Sequence, residues 1–133
     1  MDAFREAVER QDLDAVEALL ADDVVLHSPV AHQPYQGRAI TAAILRGVGE
    51  VLEGFHYIRE IHDPTGRDHV LVFRARIDDL VITGCDFLEL DDDGKIVDLM
   101  VMVRPLRAAT ALAERMAARF ADIEAAAGTG GAR

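Results

Sequence analysis

The sequence predicts an α+β fold, in which helices pack against one face of a curved, mostly antiparallel sheet. Three observations predict it. Apolar residues recur at helical spacing through most of the stretch up to Leu52. From Phe55 the period changes to two and holds to Leu90, and Ile96–Val103 is apolar on nearly every residue. Gly84 to Pro105 (GCDFLELDDDGKIVDLMVMVRP) reads as a long β-hairpin. Helices first and strands second segregate the two kinds of element, as α+β domains do.

The elements follow in order. Ala3–Arg10 is a one-sided helix, with Ala3, Phe4, Ala7 and Val8 on its apolar face. Asp12 is placed to cap a second helix, Leu13–Leu20, which Asp22-Asp23 ends. Val24–Ser28 is a short strand stopped by Pro29, and 30–37 is a loop restricted by Pro34. Gly37–Leu52 returns to helical spacing through Ile40, Ile44, Val48 and Leu52. Phe55–His62, His69–Ile77 and Leu80–Leu90 are strands, joined by the turns Asp63–Gly66 and Asp78-Asp79. Gly94 supplies the positive φ that closes the next turn, before a strand over Ile96–Val103. Leu106–Ile123 is a helix striped by Leu112, Met116, Phe120 and Ile123. The domain is expected over residues 1–126, with a flexible tail over 127–133.

Register follows from the two-residue turn. With Ile77 opposite Leu80, the pairs become Ala75 with Ile82, Phe73 with Gly84, and Leu71 with Asp86. One face is then dry except for Asp86, whose carboxyl shares it with Leu88 and Leu90. Ionisable groups on apolar faces are costly and tend to mark sites, so Asp86 is the catalytic candidate. Its other reading is a structural carboxyl tied to backbone or hydroxyl groups.

Composition bounds the rest. At 133 residues and 50% hydrophobic content, the chain can bury the core of one globular domain. No stretch approaches the roughly 20 apolar residues of a membrane span. A net charge of −10 argues against nucleic acid and anionic membranes as partners. The charged start MDAFREAVERQ is unlike a signal peptide, and a lone cysteine excludes an internal disulfide; a cytoplasmic location is expected. The five histidines are scattered and HSPVAH is loosely spaced, so no metal site is expected.

Asp12–Val30 (DLDAVEALLADDVVLHSPV), Tyr35–Ile40 (YQGRAI) and Gly84–Val97 (GCDFLELDDDGKIV) resemble the nuclear transport factor 2-like superfamily. That group includes SnoaL-like polyketide cyclases, ketosteroid isomerases, scytalone dehydratase and limonene epoxide hydrolase. The resemblance spans roughly residues 2–105. It implies a cone-shaped, cystatin-like α+β barrel, a deep apolar pocket, a small hydrophobic ligand, no cofactor, and usually a homodimer. It does not fix a reaction.

Against the ketosteroid isomerase pattern, the base aspartate falls on Ser28, the oxyanion tyrosine on Phe4, and the protonated acid on Asp86. Two of those three positions lack the required group, so ketosteroid isomerase proper is not expected. The last-strand aspartate of SnoaL cyclases falls on Val101, and the Arg and Asp of epoxide hydrolases on the run Phe73, Ala75, Ile77. A dehydratase-like set of Tyr, His and Asp has candidates in Tyr35, Tyr57, His27 and His32. The substrate-binding candidates are Ser28, His27, Tyr35, Tyr57, Phe73, Leu99 and Val101.

Two functions remain open: a cofactor-independent isomerase, cyclase or dehydratase, and a non-catalytic binding domain. Two or more polar groups converging on Asp86 would favour chemistry. On the outer sheet face, Cys85, Phe87, Met100 and Met102 leave an apolar patch. The C-terminal helix, a second copy of the chain, or both are expected to cover it.

Overall fold

The computed structural model describes residues 2–130. Its elements run α1 (Asp2–Glu9), α2 (Leu13–Leu19), β1 (Leu20–His27), β2 (Tyr35–Gln36), α3 (Arg38–Val51), β3 (Glu53–His62), β4 (Asp68–Ile77), β5 (Leu80–Leu90), β6 (Ile96–Arg104) and α4 (Leu106–Gly130). The strands form one curved, unclosed six-stranded sheet in the order β2-β1-β6-β5-β4-β3. Every pairing is antiparallel except the parallel one between β1 and β6. The expected α+β architecture is present.

The hairpin register is the one expected from the two-residue turn. Ile77 pairs with Leu80, Ala75 with Ile82, Phe73 with Gly84 and Leu71 with Asp86. Asp78 takes a positive φ of 53° there, a conformation Asp tolerates better than most residues. Leu71, Ile77, Ile82, Leu99 and Leu26 are fully buried on the concave face, where α3 meets the sheet. The Asp12 carboxyl accepts a hydrogen bond from Ala15 N–H, capping α2 as expected.

Three expectations need correction. First, β1 begins at Leu20 rather than Val24. Its pairing with β6 shifts between Leu20 and Val25, and the bulge turns Asp22 and Asp23 to solvent. Second, the loop over 30–37 contains β2, whose Tyr35 pairs with Leu26.

The third concerns α4, which does not cover the outer face. It lies on the concave side against α3, burying Ala108, Leu112, Met116 and Ile123. Gly47 makes the approach possible: a Cβ there would stand 3.0 Å from Ile123 Cδ1. Salt bridges from Arg115 to Asp78 and from Arg119 to Glu50 hold the same position. Helix continues through Gly130, so the tail expected over 127–133 is helical in its first part; residues 131–133 lie outside the described residues. Among the described residues, no helix is long and apolar enough to cross a membrane.

Candidate functional site

Between the concave face and the helices lies a cavity of about 440 Å³, within the range of roughly 300–1,000 Å³ usual for small-molecule sites. Its floor is sheet: Leu26, Phe73, Asp86, Leu99, Val101 and Val103. Phe55 and Tyr57 of β3 form one side. Leu112, Met116 and Phe120, spaced one helical turn apart on α4, close the wall above. Polar side chains are few, namely Gln11, Ser28, Tyr35, Tyr57 and Asp86. Asp86 is the only carboxylate among them.

Asp86 meets Tyr57, whose hydroxyl donates to Asp86 Oδ2 at 2.6 Å. The two residues lie two strands apart, about 10 Å of sheet. Tyr57 pairs with Phe73, which in turn pairs with Gly84, one inward position from Asp86 on β5. Gly84 has no side chain to occupy that row, so the Phe73 ring settles across it. Phe55 stacks on Phe73 at 4.7 Å and meets Tyr57 edge-on at 5.1 Å. The tyrosine is thus held laterally by rings and at its tip by the carboxylate.

Burial pushes the Asp86 carboxyl up to about 6, against the opposing pull of the Tyr57 hydrogen bond. Burial, and then the Asp86 charge, hold the Tyr57 phenol well above its ordinary range. Tyr57 therefore remains a donor at any working pH. Asp86 Oδ1 carries no hydrogen bond among the described residues.

The cavity gathers seven of the eight candidate residues: Asp86, Ser28, Tyr35, Tyr57, Phe73, Leu99 and Val101. Phe4, in the position matched to the isomerase tyrosine, also lines it. Ser28 Oγ accepts from Val30 N–H at 3.3 Å and so also shapes the turn after β1. Tyr35 packs its ring near Phe120, with centroids 6.0 Å apart.

His27 is a correction. Strand alternation turns it to the outer face, where its Nε2 meets Asp98 Oδ1 at 3.0 Å. His32 is exposed in the loop, so the dehydratase-like combination does not assemble. Among the described residues, no group of three or more His, Cys, Asp or Glu could hold a metal ion.

Sequence reasoning missed the α4 wall. The helical stripe was visible, but a stripe states that a helix buries a face without stating against what. It also missed Phe55, an aromatic on an inward strand position, Val48 of α3, and Leu52 just after that helix.

The sequence matches the SnoaL-like domain over residues 1–99. None of the curated proteins matches it. Among solved structures, a steroid delta-isomerase from Pseudomonas aeruginosa is 41% identical, over 92% of this chain and 90% of that one, with a TM-score of 0.85. An uncharacterized bacterial protein with a cystatin-like fold, from Silicibacter pomeroyi DSS-3, is 32% identical over 94% and 92%, with a TM-score of 0.84. SalBIII, an epoxide hydrolase/cyclase-like enzyme of pyran ring formation in polyether salinomycin, is 15% identical over 79% and 87% at a TM-score of 0.64, a likeness of fold alone. With the curved sheet, the helices on its concave face and the family match over most of its length, the chain belongs to the SnoaL-like family and has a nuclear transport factor 2-like fold.

Proposed function

We propose that the chain is a cofactor-independent enzyme of the isomerase or cyclase type, moving a proton on a small hydrophobic carbonyl compound held in the cavity. One observation carries the reading: in an apolar cavity, Asp86 spends one oxygen on Tyr57 and, among the described residues, keeps Oδ1 unpartnered. With its pKa at about 6, both protonation states are accessible near neutral pH, as proton transfer requires. Ionised, Asp86 accepts a proton from a carbon acidified by the adjacent carbonyl, leaving an enolate. The proton then returns to a different carbon or to an oxygen, and Asp86 is regenerated. Tyr57 stays on Oδ2 throughout and fixes the direction Oδ1 faces.

The 41% identical protein named a steroid delta-isomerase supports an isomerisation. Its substrate is not extended to this chain, because Ser28 and Phe4 fall where the resemblance expects a base and a phenol. A binding domain without chemistry is the second reading. It is favoured by one fact: Tyr57 is the only side chain in hydrogen-bond contact with Asp86 among the described residues.

The test uses unsaturated cyclic ketones, including a steroid, in deuterated water. Deuterium should enter beside the carbonyl or the double bond should migrate, and Asp86→Asn should slow this by about 100-fold or more. Ketone binding without exchange would select the binding domain. Turnover of the steroid at rates near those of true isomerases would overturn the carry-over of Ser28 and Phe4.

A further inference from the structure

The five histidines are scattered in the sequence, yet the β3–β4 hairpin brings two of them together. Its register sets His62 opposite His69. Their rings meet at a centroid distance of 4.9 Å, and their Nδ1 atoms stand 2.6 Å apart. The other ring nitrogens are both engaged. His62 Nε2 donates to Glu60 Oε1 at 3.0 Å, and His69 Nε2 donates to the Gly66 carbonyl oxygen at 2.8 Å. An ionised carboxylate and a carbonyl only accept, so both Nε2 atoms carry hydrogen. In two neutral rings each Nδ1 is then a bare lone pair, and the two lone pairs face each other. Such a contact repels unless an electron-poor centre stands between them.

We infer that this pair binds one divalent transition metal ion of the zinc or copper class, ligated by Nδ1 of His62 and Nδ1 of His69. Neutral imidazole is a ligand suited to these ions. Metal-bound histidines give their other ring N–H to a carboxylate or a backbone carbonyl, which fixes the tautomer and makes the ligand more basic. Glu60 and Gly66 already stand in those two places. Asp63, Asp68, Glu89 and Asp98 line the surface depression beside the pair and favour the approach of a cation. Two protein ligands are fewer than the three of a catalytic zinc centre, so water completes the shell. Zinc–nitrogen bonds of about 2.0–2.1 Å at a tetrahedral angle hold their nitrogens roughly 3.3 Å apart. The pair therefore opens by about 0.7 Å on binding. His69 is buried and stays in place, whereas His62 lies on the edge strand with its side chain 40% exposed and supplies the movement. Glu60 Oε2 also meets Arg5 Nε at 3.2 Å, so the ion clasps the end of the hairpin to α1. Neither histidine lines the cavity that holds Asp86, and the inference does not rest on the proposed reaction.

Calorimetric titration of the untagged full chain with Zn2+ alone, and separately with Cu2+ alone, tests it. One ion of either kind should bind with micromolar affinity, Cu2+ the tighter, and each should raise the melting temperature. The electron paramagnetic resonance spectrum of the Cu2+ complex should show coupling to two imidazole nitrogens. His62→Ala should abolish binding, and because that side chain is partly exposed, the far-ultraviolet spectrum should remain that of the wild type. Glu60→Gln keeps both histidines and should weaken binding by about 10-fold, through the lost charge behind His62. Binding that survives His62→Ala, or is lost instead in His32→Ala or His56→Ala, overturns the inference. So does a wild type that shows no saturable binding of either ion, since the two rings then share a proton and nothing more.

Discussion

A carboxyl at 7% exposure whose titration is displaced from 3.8 to about 6 is a liability to the folded state at neutral pH. The native structure prefers Asp86 protonated. That preference is complete below the unfolded value, and it is lost as pH rises through about 6. The displacement corresponds to about 3 kcal/mol at pH 7 and above. Asp86→Asn keeps the shape and an acceptor for Tyr57 but never ionises. Thermal melts should show it stabilised at pH 7 to 8, with the advantage gone near pH 4. Loss of stability at neutral pH would mean the charged carboxylate anchors the fold, and the case for Asp86 as the proton carrier of the proposed reaction would go with it. That Asp86 faces an apolar site was legible from strand alternation. Its partner was not, because Tyr57 reaches it across β4, and the β3 pairing slips between Tyr57 and Arg59. That slip leaves Ile58 43% exposed and turns Tyr57 inward while Arg59 faces out; no period-two pattern announces it.

Among the elements, β4 and β5 were the most legible. A two-residue turn fixes their register, and a one-residue slip would have put every apolar side chain in water. The resulting pair of Phe73 with Gly84 is a large residue against none, and it is tight. A Cβ on Gly84 would fall within the Phe73 ring's contact distance and 2.6 Å from the Met102 carbonyl oxygen. Gly84→Ala should therefore cost about 1–3 kcal/mol in urea denaturation. Adding Phe73→Leu should recover only part of that, because the Met102 carbonyl is backbone and stays in place. Full recovery would show that the ring alone makes the clash. The β1 start was less legible: Asp22-Asp23 does end α2, yet the same two residues sit in a bulged strand, a use that helix-breaking signals do not reveal.

For the whole molecule, periodicity gave each element its buried face, but only tertiary packing assigned α4 to the concave side. Leu112, Met116 and Ile123 are each worth about 1.5–3 kcal/mol of burial. Their sum is comparable to the entire stability of a domain, roughly 5–15 kcal/mol. A chain ending at Pro105 should lose its cooperative melt and bind an apolar dye such as anilinonaphthalene sulfonate; a sharp melt without dye binding would show α4 to be dispensable. The position of α4 also separates two kinds of inheritance. The hydrogen-bonded pair of Tyr57 and Asp86 is built into β3 and β5, whereas one wall of the chamber belongs to a single helix, α4, fastened at Gly47 and by two surface salt bridges. Residues 113, 117 and 120 can therefore be varied to remodel the shape the chamber accepts while the Tyr57–Asp86 pair stays put. The fold is in this sense a fixed floor with an exchangeable mould.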